Sequence, residues 1–307
     1  SFLEQNESII EYLDVEESET CLIASKDSQL SEDNINPYTH CEIHPSLILG
    51  VMGLIIPFVE HNPAPRNLFS AGQSKQSIGL YTSNYRYRLD QAAYLLSYPQ
   101  RPLITTQIMK YIAEEKMPYG ENAIVAIASY GGYNQEDALI FNKTSLQRGL
   151  FRSTYFRTYT ENEEINAITG EDTKFVNPIE VNSKNLKPGK NYQLLNNEGF
   201  PKRNDYVTDN DIIIGKINKV KGETNEYYVD SSVTPKKNTH GFVERVFVDS
   251  DQDGFQIGKV CIREERVPEI GDKFSSRAGQ KGTIGIVLDQ QDMPFTKDGI
   301  VPDLIVN

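Results

Sequence analysis

The order of hydrophobic and polar residues in the first half of the chain predicts turns of helix on either side of a proline-rich loop. An apolar stretch, LILGVMGLIIPF, is followed by HNPAPRN, and the prolines of this region forbid a continuing helix. Arg66 is therefore predicted to lie on a loop. Helical turns are predicted at 76–80, 88–96 and 105–117, where apolar residues recur at helix-like spacing.

One segment before residue 150, and most of the chain after it, have strand patterns. Residues 122–129 form an apolar run rich in β-branched residues, which is typical of a strand buried on both faces. From Leu150 onward, apolar and polar residues alternate between Asn, Gly and Asp turns, which indicates an all-β module. The alternating stretches are FRSTYFRTYT, DIIIGKINKV, NEYYVDSS, GFVERVFVDSD and GFQIGKVCIREERV.

Length and composition fit a folded chain of more than one unit. The 307 residues exceed one compact domain, so two or three units or one interleaved pair are expected. The hydrophobic content of 38% and charged content of 24% exclude a chain disordered throughout. The net charge of −12 argues by itself against a nucleic-acid partner. However, residues 1–36 contain ten acids and one base, whereas residues 259–285 contain six bases and four acids.

The three cysteines and the apolar stretches suggest neither a zinc site nor a membrane segment. Cys21, Cys41 and Cys261 are too widely spaced for a zinc site or a disulfide framework, so reduced structural thiols are expected. No apolar stretch approaches the roughly 20 residues that span a bilayer, and the first residues lack a signal-peptide pattern. We expect a soluble, intracellular protein with no membrane partner.

Two groups of charged residues are candidates for chemistry. Glu136 and Asp137 follow a predicted strand and a Gly-Gly turn, where a loop is required to aim both at one hard cation. Taken alone, such a pair is more typical of a solvated turn. Lys273, Arg277 and Lys281 lie four residues apart among glycines, which suits a phosphate cradle or a basic surface loop equally. The spacing is not that of a P-loop.

Six longer strings stand out along the chain: THCEIHPSLILG, HNPAPRN with SKQSIG, NAIVAIASYGGYNQEDALIFN, RGLFRS, GDKFSSRAGQKGTIGI and DMPFTKDGIVPDLIVN. In this order and spacing they resemble the second-largest subunit of multisubunit DNA-dependent RNA polymerase. The likeness is greatest to the eukaryotic polymerase II type and its counterparts in large DNA viruses. It covers essentially the whole chain and is weakest in residues 1–36 and 158–240.

The resemblance implies a mixed α+β, β-rich fold in which a double-psi β-barrel, the hybrid-binding region, is interrupted by an inserted all-β wall module. Four regions are expected along the chain. They are the acidic end of the external region (1–45), the first part of the hybrid-binding region (46–151), the wall-like β module (152–256) and the truncated second part of the hybrid-binding region (257–307).

The resemblance also assigns roles to individual residues. Glu136 and Asp137 match an acidic pair that faces the second, nucleotide-delivered Mg²⁺, mostly through water. Lys273 matches a lysine at the RNA 3′ end, and it completes the set of expected catalytic residues. The residues expected to bind phosphates of the NTP or the RNA are Arg66, Gln76, Arg266 and Lys281.

Two positions depart from the family pattern. Ala278 stands where the family commonly has a histidine, so any contact of that imidazole is lost or supplied elsewhere. Arg266 stands where the polymerase II type has a lysine, which keeps the charge and changes the hydrogen-bond geometry.

The implied function is nucleotidyl transfer from NTPs to the RNA 3′ end, a two-metal in-line reaction. The principal Mg²⁺ belongs to an aspartate motif of the largest subunit, NADFDGD, which this sequence lacks, so activity is expected only in complex with that subunit. The other implied partners are smaller assembly subunits, the DNA template and the RNA–DNA hybrid. The expected location is the nucleus for a cellular protein, and the host cytoplasm, virus factory or virion for a viral one.

Two alternatives stay open from the sequence. A non-catalytic nucleic-acid-binding or subunit-interaction fragment would retain the same fold without joining a polymerase. An independent metal hydrolase is disfavoured, because no complete set of metal ligands is visible.

Overall fold

A computed structural model describes residues 10–30, 38–112, 116–165, 171–221 and 226–307. Part of the acidic N-terminal region and residues 113–115 of the predicted helix 105–117 lie outside these ranges. The helices are short, and single 3-10 turns lie between them. The α-helices are α1 (Val15–Glu19), α2 (Gly50–Leu54), α3 (Ala64–Ser74) and α4 (Lys143–Gln147). The 3-10 turns are Asp27–Gln29, Pro45–Leu49, Val59–His61, Tyr85–Tyr87, Gln107–Lys110 and Gln290–Asp292.

Strands supply most of the regular structure after α3. Up to residue 175 they are β1 (Ile23–Ala24), β2 (His40–Cys41), β3 (Ala92–Leu96), β4 (Val125–Ile127), β5 (Ala138–Asn142), β6 (Ser153–Asn162) and β7 (Asp172–Phe175). The later strands are β8 (Tyr206–Thr208), β9 (Lys216–Lys221), β10 (Glu226–Asp230), β11 (His240–Ser250), β12 (Gln256–Arg266), β13 (Lys273–Ser275), β14 (Lys281–Leu288) and β15 (Leu304–Val306).

These strands form a two-stranded sheet, a three-stranded sheet and two five-stranded sheets. The antiparallel sheet has the order β3-β6-β12-β11-β8, and the mixed sheet has the order β13-β14-β5-β15-β4. The expectation of a β-rich fold with a minor helical part is confirmed. Each sheet of the described residues has two edge strands, so these strands by themselves close no barrel.

The chain divides into two compact units. Unit 1 contains residues 1–76, 104–112 and 275–280, and unit 2 contains 77–103, 113–274 and 281–307. The antiparallel sheet of unit 2 draws β3, β6 and β12 from three of the regions expected from the sequence. The region boundaries themselves stay predictions.

The antiparallel sheet is built as its alternating sequence predicts. Inward residues of β11 and β12, such as Val243, Val260 and Ile262, pack with Phe200 and Ile213 in a core that is almost fully buried. The hairpin between the two strands turns through Gly254, whose φ of 86° a residue with a side chain rarely adopts. The prediction of an all-β module from residue 150 is therefore confirmed for its described part.

The strand buried on both faces is β5 and not the predicted segment 122–129. Leu139 and Phe141 pack into one cluster below the mixed sheet, while Ile140 packs into another on the opposite face. Residues 122–129 contain β4, an edge strand whose Ile127 is 85% exposed. The prediction of a strand was right and that of burial on both faces was wrong, because burial depends on a strand's place in the sheet.

Three further local predictions were wrong. Arg66 lies in the first turn of α3 and not on a loop, because Pro63 is the N-cap residue and Pro65 occupies an early position where a missing N–H is tolerated. Residues 88–96 contain the strand β3, which pairs with β6, since short apolar runs do not distinguish helix from strand. No helix forms at 76–80, whereas the described residues of 105–117 contribute only the turn Gln107–Lys110.

The described residues include the three cysteines and all the helices in which a membrane-spanning segment was sought. No helix among them has the length and apolar character needed to cross a membrane. Cys21, Cys41 and Cys261 are free, and burial raises the pKa of the Cys261 thiol, which keeps it protonated and unreactive.

Candidate functional site

The acidic pair lies at the start of the most buried strand of the mixed sheet. Glu136 and Asp137 directly precede β5 and are both exposed. Their φ angles of 48° and 65° put two consecutive residues in the left-handed region, which costs an L-residue roughly 1–2 kcal/mol. Such a conformation persists only where the surrounding structure enforces it, and it is enriched at functional sites.

Strand β14 holds this turn in place from the neighbouring position in the sheet. The Thr283 N–H donates to the Asp137 carbonyl at 2.9 Å, and Thr283 then pairs in parallel with Ala138. Gly285 permits a close approach, because a Cβ there would lie 2.6 Å from the Tyr133 carbonyl oxygen. The backbone of the turn is therefore fixed while its two carboxylates stay at the surface.

Two lysines of the predicted site, Lys273 from the catalytic set and Lys281 from the phosphate-binding set, begin strands of the mixed sheet. Lys281 is exposed and begins β14, two residues before Thr283. Thr283 pairs with Ala138, and Glu136 lies two residues before Ala138, so Lys281 and Glu136 occupy equivalent places on the two parallel strands. Lys273 is exposed and begins β13, next to β14 in the strand order. The sheet thus presents cations and carboxylates on adjoining strands.

Arg266 has partners of its own within unit 2. Its guanidinium lies 4.4 Å from the centroid of the Tyr155 ring and 5.5 Å from that of Tyr94, and it donates to the Tyr94 hydroxyl at 3.3 Å. Glu264 lies 3.5 Å away. A guanidinium favours such stacking on aromatic faces, an arrangement that the sequence did not suggest.

The remaining two predicted residues, Arg66 and Gln76, belong to unit 1. Arg66 is exposed in the first turn of α3, and its Nη1 donates to the Gly279 carbonyl at 3.3 Å. Gln76 is exposed just after the end of α3. Arg66 therefore has most of its forked donor set available to a phosphate.

Arg277, the middle cation of the GDKFSSRAGQKG string, does not act as an exposed cation. Its guanidinium donates to the Ile104 carbonyl at 2.5 Å and to the Ile55 carbonyl at 2.6 Å, both within unit 1. Sequence reasoning missed this role, because the spacing made Lys273, Arg277 and Lys281 equivalent.

The acidic pair fits a magnesium ion that arrives with a ligand. Within the described ranges, no group of three or more His, Cys, Asp and Glu side chains is placed to hold a metal. Mg²⁺ is commonly bound through one or two carboxylates together with substrate phosphates while it keeps several waters. Glu136 and Asp137 supply that incomplete oxygen set.

Comparison with known families then identifies the chain. A family model described as RNA polymerase Rpb2, domain 6, matches residues 52–307, and one described as RNA polymerase Rpb2, domain 5, matches residues 2–45. The chain belongs to the Rpb2 family of second-largest RNA polymerase subunits. The resemblance recognised in the sequence is thereby confirmed.

Rpb2 relatives from distant organisms match the chain over nearly all of its length. It is 44% identical to DNA-directed RNA polymerase II subunit RPB2 of Encephalitozoon cuniculi and 43% identical to DNA-directed RNA polymerase II subunit 2 of Arabidopsis thaliana, each over 97% of the chain. It is 42% identical to DNA-directed RNA polymerase subunit Rpo2 of Sulfolobus acidocaldarius, again over 97%. The chain spans only 27%, 26% and 27% of these relatives, respectively.

Proposed function

We propose that this chain forms part of the catalytic core of a DNA-directed RNA polymerase and transfers nucleotides from NTPs to the RNA 3′ end. The observation that carries the proposal is the exposed, left-handed Glu136–Asp137 pair, held at the start of β5 beside the strand that begins with Lys281. Membership of the Rpb2 family supports it.

The two carboxylates orient the magnesium ion that accompanies the incoming nucleotide. When bound, this ion neutralises charge that develops on the triphosphate during in-line transfer. Glu136 and Asp137 would hold this ion through hydrogen bonds with bound water. The rigid backbone of the turn keeps both carboxylates in position before the nucleotide arrives.

The exposed cations bind phosphates. Arg66 binds the triphosphate with its planar fork, and Lys273 binds at the RNA 3′ end and the nucleotide phosphates. Lys281, Gln76 and Arg266 contact phosphates of the transcript or nucleotide. The stack of Arg266 on Tyr94 and Tyr155 fixes the direction of its guanidinium.

We further propose that the mixed sheet contributes to a double-psi barrel that holds the RNA–DNA hybrid and that residues 152–256 form the wall. The partners of the chain are the largest subunit, which supplies the principal Mg²⁺, the smaller assembly subunits and the DNA template. A cellular protein of this kind acts in the nucleus, and a viral one acts in the host cytoplasm, virus factory or virion.

Primer extension by the assembled polymerase tests these roles. Glu136→Gln and Asp137→Asn should each raise the Mg²⁺ concentration for half-maximal extension by about 10-fold or more, because the polar side chains remain while the charge is lost. Asp137→Ala combined with Lys273→Ala should reduce the extension rate by at least about 100-fold.

A matched control is Asp253→Asn, which removes an exposed carboxylate from the β11–β12 hairpin turn and should leave the Mg²⁺ dependence unchanged. Wild-type extension by the Asp137→Ala, Lys273→Ala protein would overturn the site assignment. A chain that binds nucleic acid but never joins a largest subunit would instead be a non-catalytic interaction module.

A further inference from the structure

Helix α3 carries Arg66 but has almost no apolar anchor of its own. Ser70 is its only buried residue, whereas Leu68 and Phe69 are 74% and 57% exposed. Burial of apolar side chains normally fixes the position of a helix. Within unit 1, the position of α3 must therefore depend on polar contacts.

The segment of residues 275–280 supplies several of those contacts. The Ser70 hydroxyl donates to the Arg277 carbonyl at 2.6 Å, and Arg66 Nη1 donates to the Gly279 carbonyl. The Ser275 hydroxyl donates to the side chain of Gln73. Residues 66, 70 and 73 follow helical spacing and so line one face of α3.

Gly279 makes the close approach possible. Its φ is 76°, and a Cβ at this position would lie 2.8 Å from the Arg66 carbonyl oxygen. The segment thus lies against the helix backbone at the residue predicted to bind the triphosphate. Any shift of the segment would be transmitted to Arg66.

Arg277 is the anchor of this segment. Besides the Ile104 and Ile55 carbonyls at 2.5 and 2.6 Å, its guanidinium contacts Met109 Sδ at 3.4 Å. Its Nε is buried without a partner, so this side chain has been desolvated to make the other bonds. One guanidinium therefore joins three separate stretches of unit 1, which are 50–76, 104–112 and 275–280.

We infer that Arg277 is a positioning residue that sets the orientation of Arg66 for binding the incoming triphosphate, rather than a phosphate ligand itself. The inference rests on the proposed function. Both Nη atoms of Arg277 already donate to backbone carbonyls. A lysine would keep the charge but lacks the planar fork that bonds two carbonyls in different directions.

A double-mutant cycle in the assembled polymerase tests this inference through KM for the NTP. Arg66→Ala should raise KM, and Arg277→Ala should raise it by at least about 10-fold, since small misplacements of a binding group are costly. The double variant should show no further increase, because Arg277 acts through Arg66. Arg277→Lys should raise KM less than Arg277→Ala does, and Ser70→Ala should also raise KM to a smaller degree.

Arg148→Ala is the matched control. Arg148 is also bonded inside the chain, to the Ser145 hydroxyl at 2.9 Å, but it belongs to unit 2. The Arg148→Ala substitution should leave KM for the NTP unchanged even if it lowers the fraction of active enzyme. If Arg277→Ala does not assemble, the same cycle with Ser70→Ala and Arg277→Lys decides the question.

The outcomes separate the inference from the proposed function. An unchanged KM in Arg66→Ala would refute the triphosphate role of Arg66 and, with it, the inference. If Arg66→Ala raises KM but Arg277→Ala lowers only the active fraction, Arg277 is purely structural and the inference alone fails. Independent, multiplicative increases in KM would also overturn it.

Discussion

At the scale of single residues, Glu121 is a carboxylate with a structural role, in contrast to the acidic pair of the candidate site. Its Oε1 accepts the Phe151 N–H at 3.1 Å, and Phe151 itself has a φ of 52°. Burial raises the pKa of Glu121 above its ordinary value of 4.5, and the negative charge of Asp303 raises it further. The hydrogen bond from Phe151 opposes this shift without cancelling it.

The raised pKa of Glu121 predicts a dependence of stability on pH. Because the folded state holds the proton more tightly, the stabilising contribution is complete below 4.5 and is lost as pH rises through the folded pKa. Glu121→Gln keeps an oxygen acceptor for the Phe151 N–H but removes the charge. It should raise the thermal midpoint at neutral pH, with a gain that shrinks toward pH 4.

Glu121→Ala separates the hydrogen bond from the charge. It leaves the Phe151 N–H without this acceptor and should lower the free energy of unfolding by about 1 kcal/mol at low pH. Thermal unfolding from pH 4 to 8 gives both comparisons. A Glu121→Gln gain that grows toward acid pH would contradict the assigned direction of the pKa shift.

Residue types in the candidate site could be predicted from the sequence, but their surroundings could not. Glu136 and Asp137 were recognisable as adjacent acids after a Gly-Gly turn, yet their left-handed backbone depends on β14, more than 140 residues later. Lys273 and Arg277 have the same charge and similar neighbours in sequence. Only tertiary structure exposes Lys273 and bonds the guanidinium of the half-buried Arg277 to backbone carbonyls.

At the scale of elements, the alternating strands could be predicted because their period is local. In β11 and β12, alternate residues such as Val243, Val260 and Ile262 enter the core, so the pattern and the structure agree there. The burial of strand β4 could not be predicted in this way, because its apolar run gives no information about its place at the edge of a sheet. Helix α3 differs again, since its prolines lie at its start, where they are tolerated.

Two glycines predict opposite effects of the same substitution. Gly241→Ala, in β11, places a Cβ 2.4 Å from the Arg263 carbonyl oxygen of β12, so the strands must separate and stability should fall by about 1–3 kcal/mol. Gly72→Ala, in α3, meets nothing within 4 Å and should stabilise the helix by about 0.5–1 kcal/mol.

Chemical denaturation of the purified protein measures both changes. The comparison is internally controlled, because each variant adds one methyl group. An unchanged midpoint for Gly241→Ala would show that β11 and β12 are not packed as closely as described. A loss of stability in Gly72→Ala would show that the environment of Gly72 on α3 is not open.

At the scale of the whole molecule, the net charge conceals a division of charge along the chain. The acids of residues 10–30 are all exposed, and helix α1 buries none of its side chains. The exposed Lys281 instead lies on β14, next to the strand that the acidic pair precedes, and the exposed Lys273 lies on β13, one strand further along the sheet. Ten acids and one base in residues 1–36 account for nine of the twelve excess negative charges, so the net charge does not exclude phosphate ligands elsewhere in the chain.

For the molecule as a whole, we expect that this chain does not synthesise RNA without a partner. Across the ranges that the structure describes, no cluster of three metal-binding side chains occurs, and two carboxylates alone hold Mg²⁺ weakly. Primer extension with the chain alone should stay at background at any Mg²⁺ concentration. Addition of a largest subunit with its aspartate motif should raise primer extension above background. Mutation of that motif is the control, and extension by the chain alone would show that its own residues hold both metals.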